Sequence, residues 1–214
     1  MNQSKEKTTA VKATTASKRV RPFVKDIYAR ALEAKEQGKP IAYCMVASQY
    51  EEILQAMDIV SIWTENYGGL CAAKRDAERF LVKAEADGFS NNICGYVRNG
   101  LGFEALRQEL GEMPPDAPDG GMAKPTMLLG SSAVCDPRYK WYQALGRYLD
   151  APVYAHDIVH PPIDADLKEV KPYYIKYQTE QFRGLVDFLV TRTGSRLGIT
   201  FPVPVFGEPA SRIS

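Results

Sequence analysis

The chain has 214 residues, 45% of them hydrophobic and 25% charged, with 27 basic and 26 acidic side chains and a formal net charge of +1. That length suits one domain, or one domain with an appendage, and leaves enough apolar material for a sizeable core. The near-neutral balance gives no global electrostatic case for nucleic acid or an anionic membrane, and no run approaches the roughly 18 apolar residues of a membrane span.

Residues 1–21 are rich in Lys, Thr, Ser and Ala and hold one acid, Glu6. They lack the apolar core of a secretory signal and read as a disordered basic tail, although a transit peptide has a similar composition. Without a secretory signal, the four cysteines (Cys44, Cys71, Cys94 and Cys135) are expected in a reducing cytoplasm. Cysteines there are buried, reactive or metal-binding.

Pro22 fits a first helical position, and Val24, Ile27, Tyr28, Ala31 and Leu32 recur at helical spacing up to Gly38. Residues 41–46 read as a buried strand containing Cys44. Ser48-Gln49-Tyr50-Glu51 is a capping-box pattern, and the helix it opens carries Ile53, Leu54 and Met57. Residues 59–63 read as a second strand. Gly68-Gly69 is expected to break the chain. Leu70, Ala73, Ala77, Phe80, Leu81 and Ala84 then form the stripe of one helix that stops at Gly88.

Ser90, Asn91 or Asn92 can cap a helix with Cys94 in its first turn and Val97 and Leu101 inward. Gly100 and Gly102 weaken that helix. Prolines and glycines make residues 111–125 a loop, followed by a strand over 126–129. Cys135 precedes a helix with Asp136 as N-cap and Pro137 as first residue, running to about Leu149. A strand over 153–155, a loop over 156–162 and a long helix over about 172–192 complete the pattern. The tail 196–214, with Pro202 and Pro204, leaves the strand–helix rhythm.

Alternating strands and helices predict an α/β fold over residues 22–195. The expected form is a Rossmann-like three-layer domain with a mainly parallel sheet and a long helix near the C-terminal end. Ligands on such sheets sit outside the carboxyl ends of the strands. Cys135 directly follows a strand and so falls on that edge.

A helix N-terminus stabilises a thiolate, the form that ligates metal. Cys94 and Cys135 are therefore candidate ligands for a soft metal centre, while two inert cysteines in first turns satisfy the same pattern. Cys44 reads as a core residue, and Cys71 as buried or redox-active. His156 and His160 flank a Pro-rich loop and read as surface residues, with a zinc module as the competing reading. Tyr96 and Arg98 lie within a turn of Cys94 and are candidate substrate-binding residues. In Arg138-Tyr139-Lys140-Trp141-Tyr142 the aromatics read as core and the cations as surface. No phosphate-cradling Gly-x-Gly-x-x-Gly or Walker pattern occurs.

The segment from Ile93 through Cys94-Gly95-Tyr96-Val97-Arg98 to Gly102, and the segment Ser132-Ala133-Val134-Cys135-Asp136-Pro137-Arg138-Tyr139, are familiar together. They resemble the two cysteine segments of the 2-hydroxyacyl-CoA dehydratase and benzoyl-CoA reductase family. Local wording is closer to the benzoyl-CoA reductase subunits. The resemblance covers roughly residues 22–195. It implies a four-iron four-sulfur cluster with Cys94 and Cys135 as two of three cysteine ligands, and Ser48 as a candidate on the cluster's open side. It further implies a second homologous subunit, an ATP-hydrolysing activator, a ferredoxin, and an acyl-CoA thioester that accepts a low-potential electron. Most family members continue into a further α/β domain with the third cysteine. No cysteine follows Cys135, so the expectation is the N-terminal part of such a subunit, inactive alone. A non-catalytic, metal-free docking subunit is the reading of another class.

Overall fold

The computed structural model describes residues 14–46 and 50–194. Helix α1 spans Thr15–Glu36, strand β1 Ile41–Cys44, helix α2 Glu51–Ala56, strand β2 Val60–Trp63, helix α3 Thr64–Ala73 and helix α4 Ala77–Ala86. Helix α5 spans Gly95–Leu110, and a 3-10 turn covers Pro118–Gly120. Strand β3 (Met127–Ser131), helix α6 (Asp136–Leu149), strand β4 (Val153–His156) and helix α7 (Leu167–Thr193) follow. The four strands form one parallel sheet in the order β2-β1-β3-β4.

Alternation along the strands builds three layers. Ile41 and Tyr43 of β1 face one side with Tyr28 of α1, Tyr67 of α3, Phe80 of α4, Phe103 of α5 and Trp141 of α6. Ala42 and Cys44 face the other side with Leu54 of α2 and Leu185 and Leu189 of α7. All four β1 residues are buried, as expected for a central parallel strand. The predicted α/β class, parallel sheet and long final helix are all present. Among the described residues, no helix is long and apolar enough to cross a membrane.

Several local expectations change. Helix α1 begins at Thr15, so part of the predicted tail is helical and Pro22 lies inside the helix. Thr14 provides the cap: its hydroxyl oxygen accepts the Ser17 N–H at 3.2 Å. Gly68 and Gly69 do not break the chain. They lie within α3, and the break comes at Arg75, in the left-handed region at φ 59°. Likewise α7 begins at Leu167, five residues ahead of Pro172, with the Asp166 carboxylate capping the Lys168 N–H at 2.8 Å. The segments 1–13, 47–49 (with Ser48 and its capping box) and 195–214 (with the predicted tail) lie outside the described residues.

Gly100 and Gly102 do not weaken α5, which runs unbroken for 16 residues. They let its neighbours approach. A Cβ on Gly102 would sit 1.7 Å from the Phe80 carbonyl oxygen of α4, and one on Gly100 would sit 2.2 Å from the Trp141 ring of α6. Helix propensity is the smaller effect here, and tertiary packing overrides it. The core also holds a buried polar bridge. Tyr43 donates its hydroxyl to Glu104 Oε1 at 2.7 Å, Glu104 pairs with Arg107, and Arg107 donates to the Met122 carbonyl at 2.7 Å. Burial pushes the Glu104 carboxyl up, and Arg107 opposes that shift.

The Gly102 contact is with backbone, which cannot rotate away. Gly102→Ala is expected to destabilise the fold by roughly 3 kcal/mol. Gly95→Ala, with nothing within 4 Å of its Cβ, is expected to change stability by less than about 1 kcal/mol. Urea unfolding of the two variants measures the contrast.

Candidate functional site

In the order β2-β1-β3-β4 the chain leaves β1 towards β2 on one side and reaches β3 and β4 on the other. The carboxyl ends of β1 and β3 therefore flank a switch point, where parallel sheets hold ligands. A cavity of ≈ 680 Å³ opens there. Its walls include Val46 after β1, Glu65 of α3, Cys94 and Tyr96 at the start of α5, and Cys135, Arg138 and Trp141 around the start of α6.

The two candidate thiols thus share one cavity. Each cysteine occupies the N-cap position itself, Cys94 for α5 and Cys135 for α6. The expected caps lie elsewhere: Ser90 Oγ accepts the Asn92 N–H in the preceding turn at 3.2 Å, and Asp136 is already helical. Neither cysteine side chain makes a capping hydrogen bond, and both residues are exposed. The relative position of the two thiols is set deeper in the fold. Cys94 precedes Gly100 by six residues and Cys135 precedes Trp141 by six residues, about 9 Å of helical rise in each case. The Trp141 ring seated against Gly100 therefore locks the two helix starts to each other.

Sequence reasoning missed Arg138, read as a surface cation. It is 5% exposed. Its Nε pairs with Glu65 Oε1 at 2.6 Å, Nη1 donates to the Ala133 carbonyl at 2.9 Å, and Nη2 donates to the Val46 carbonyl. Glu65 also accepts the Val46 N–H, at 2.6 Å. One planar guanidinium thus ties the turn after β1 to the turn after β3 and to the start of α3. Only a forked donor reaches three acceptors this way. The signal available in the sequence was position: Arg138 lies one turn into the helix that Cys135 opens, where its side chain reaches back over the strand ends.

The turn it holds is strained. The Cys135 N–H donates to the Ala133 carbonyl at 3.0 Å, with Val134 between them at φ 76°. A γ-turn centred on a β-branched residue at positive φ is rare. It costs about 1–3 kcal/mol and persists only where the surroundings over-determine it. The Arg138 bond to the Ala133 carbonyl is one such restraint.

Other predicted residues divide clearly. Tyr96 lines the cavity, and its ring packs on Gly68, where a Cβ would lie 2.9 Å away. Arg98 is not among the residues lining it. It pairs with Glu85 of α4 and donates from Nε to the Ile93 carbonyl at 3.2 Å, so it braces the turn before Cys94. Cys44 and Cys71 are buried. Burial pushes the Cys71 thiol up to about 11 and Cys44 well above its usual value, so both stay protonated at neutral pH.

His156 is a correction. It ends β4 at 1% exposure, packed on Tyr50 and Phe182, with Nε2 hydrogen-bonded to Gln178 at 3.1 Å. The strand extends one residue further than expected, which turns this ring into the core. His160 is exposed. Among the described residues no group of three or more His, Cys, Asp or Glu is placed to hold a metal ion, so the geometry gives the zinc module no support.

Removing one partner of a buried pair leaves the other charge unpaired. Glu65→Ala and Arg138→Ala are each expected to cost about 3 kcal/mol. The Glu65→Ala/Arg138→Ala double variant is expected to cost less than the two single losses combined, as read in a double-mutant cycle. A pH effect follows from His156, whose pKa burial lowers below 6.5. The unfolded chain takes up the proton first. Stability is therefore full above 6.5, falls as pH drops below it, and levels off below the folded-state value. Chemical denaturation at about pH 8 and about pH 5 measures this fall, and His156→Gln flattens it.

Residues 48–199 match the family model of the 2-hydroxyglutaryl-CoA dehydratase D-component. The (R)-phenyllactyl-CoA dehydratase alpha subunit of Clostridium sporogenes is 29% identical over 187 residues, covering 87% of this chain and 42% of that protein. The (R)-2-hydroxyisocaproyl-CoA dehydratase alpha subunit of Clostridioides difficile is 30% identical over 155 residues, covering 72% of this chain and 35% of that protein. A benzoyl-CoA reductase subunit of Thauera aromatica is 23% identical over 154 residues, covering 72% of this chain and 34% of that protein. The chain thus spans about two fifths or less of the length of these relatives. Its identity to the dehydratase subunits exceeds that to the reductase subunit, the reverse of the expectation from local wording. With the family model covering both cysteine segments and most of the fold, the chain belongs to the 2-hydroxyglutaryl-CoA dehydratase D-component family.

Proposed function

We propose that this chain forms one wall of the active site of a 2-hydroxyacyl-CoA dehydratase, with Cys94 and Cys135 as two thiolate ligands of a four-iron four-sulfur cluster. The observation that carries the proposal is the placement of both exposed, uncommitted thiols on one cavity at the switch point of the sheet. The donor set fits in kind, since such clusters are held by cysteine thiolates. With two such donors on this cavity, the remaining ligation comes from outside the described residues. When bound, the cluster supplies low-potential single electrons.

The chain's own residues orient and enclose. Trp141 against Gly100 fixes the spacing of the two thiols. Arg138 and Glu65 fix the turn that presents Cys135 and neutralise each other, so they leave little net charge beside the ligands. Val46, Leu70, Val97 and Trp141 give the cavity a largely apolar lining. Such a lining excludes water and strengthens any polar contact made to a thioester carbonyl. Tyr96 stands on the same wall as a candidate contact for the acyl group, and Arg98 braces the turn before Cys94. The dehydratase names of the relatives at 29% and 30% identity favour that reaction. Reduction of an aromatic thioester is the second reading, favoured by the match to the benzoyl-CoA reductase of Thauera aromatica. Either reaction calls for a second homologous subunit, an ATP-hydrolysing activator and a ferredoxin, all in the cytoplasm.

Anaerobic reconstitution with iron and sulfide, together with the homologous second subunit, tests the assignment. The wild-type chain is expected to take up iron and acid-labile sulfide. Cys94→Ser and Cys135→Ser are expected to lose both, while Cys44→Ser and Cys71→Ser retain them. Iron uptake that survives the first two substitutions sinks the ligand assignment. Turnover of a 2-hydroxyacyl-CoA against an aromatic acyl-CoA, with activator and ferredoxin present, separates the two reactions.

A further inference from the structure

Helix α1 carries a feature that the thiol site does not use. Lys18, Arg21 and Lys25 recur at i, i+3 and i+7 and therefore lie along one face. Tyr28 continues the same row, and its hydroxyl donates to Asn66 Oδ1 at 2.7 Å. Asn66 lines the cavity that holds Cys94 and Cys135, and so does Val24 of α1 itself. The row of cations thus borders, without lining it, the face of α1 that reaches the cavity.

The row is costly as it stands. All three side chains are exposed, and none makes an ion pair or side-chain hydrogen bond among the described residues. By contrast, Arg30 lower on α1 pairs with Asp26 at 2.9 Å. Like charges three and four residues apart on a helix repel. Lys18, at the first turn of α1, also opposes the helix dipole, and that turn holds no acid. Arg19 adds a fourth cation on the far flank, and no acid appears between Thr15 and Lys25. An anionic ligand would relieve both costs.

We propose that Lys18, Arg21 and Lys25 form the anchoring site for the phosphorylated end of a coenzyme A thioester; this rests on the reading of the thiol cavity as an acyl-CoA site. Coenzyme A carries a diphosphate and a 3′-phosphate at one end and its thiol at the other, joined by the pantetheine arm. Phosphates held on the exposed row leave that arm free to enter the cavity past Val24 and bring the thioester to the wall bearing the two thiols. Arg gives a forked contact to phosphate and Lys a point charge. The cations also steer an anion towards the rim in a salt-dependent way.

Isothermal titration of the full chain with coenzyme A, 3′-dephospho-coenzyme A and pantetheine tests this. Lys18→Ala/Arg21→Ala/Lys25→Ala is expected to weaken coenzyme A binding by on the order of 10-fold or more and to flatten its salt dependence. Pantetheine binding is expected to stay unchanged, and dephospho-coenzyme A to fall between the two. Arg19→Ala, on the opposite flank, is expected to leave all three unchanged. Wild-type affinity in the triple variant, or no coenzyme A binding by the wild-type chain, overturns the proposal. So does an equal loss in Arg19→Ala, which marks an unspecific polyanion patch. Weakened association with the second homologous subunit, with coenzyme A affinity intact, overturns it too, by assigning the row to a protein interface. Titration needs no iron. Phosphate-dependent binding in a chain that takes up no iron therefore sinks the cluster reading alone, and iron uptake with unchanged affinity in the triple variant sinks this one alone.

Discussion

The contact between Gly100 and the Trp141 ring is the constraint on which the candidate site depends. The ring fills the space where any other residue would place a Cβ, so the depth of approach between α5 and α6 is fixed by an absence. The same helix is set against α4 by Gly102 and the Phe80 carbonyl. With both flanks of α5 pinned, its N-terminus has little freedom, and Cys94 inherits that rigidity. Cys135 inherits it through Trp141. Two residues far apart in sequence thus become neighbours on one wall because a pair of glycines admits a tryptophan and a peptide carbonyl.

A second constraint works at right angles to the first. The helices fix where the thiols start, and the Arg138–Glu65 pair fixes the loops that meet them. Val46 gives both its N–H and its carbonyl to this pair, so the chain leaving β1 is held just before residues 47–49. Ala133 gives its carbonyl to Arg138 and also accepts the Cys135 N–H. The strain at Val134 fits this picture. A loop free to relax would not keep a valine at positive φ, so its conformation records the restraint around it.

Much of this was legible in the sequence. The parallel α/β order followed from the alternation of strands and helices, and Cys135 fell on the carboxyl edge because a strand runs directly into its helix. The pairing with Cys94 was not derivable from spacing, because it depends on how closely α5 and α6 approach. Glycines that scored against a helix by propensity proved to be packing sites, as at Gly68, Gly100 and Gly102. A single sequence reports what glycine lacks, not what occupies the space. Arg138 was misread for a related reason. Its charge suggested solvent, but its partner Glu65 lies on another helix and meets it only in the fold. His156 turned inward because β4 extends one residue beyond its apolar run.

The division of the four cysteines has a practical corollary. Two lie open on the cavity wall and two are sealed in the core on opposite faces of the sheet. An alkylating reagent applied to the intact chain therefore meets two thiols, and the same reagent in denaturant meets four. The molecule carries its own gauge of conformational integrity. The ratio of modified to protected sulfur reports the fraction of chains that are folded, without a dye, a tag or an assay of turnover.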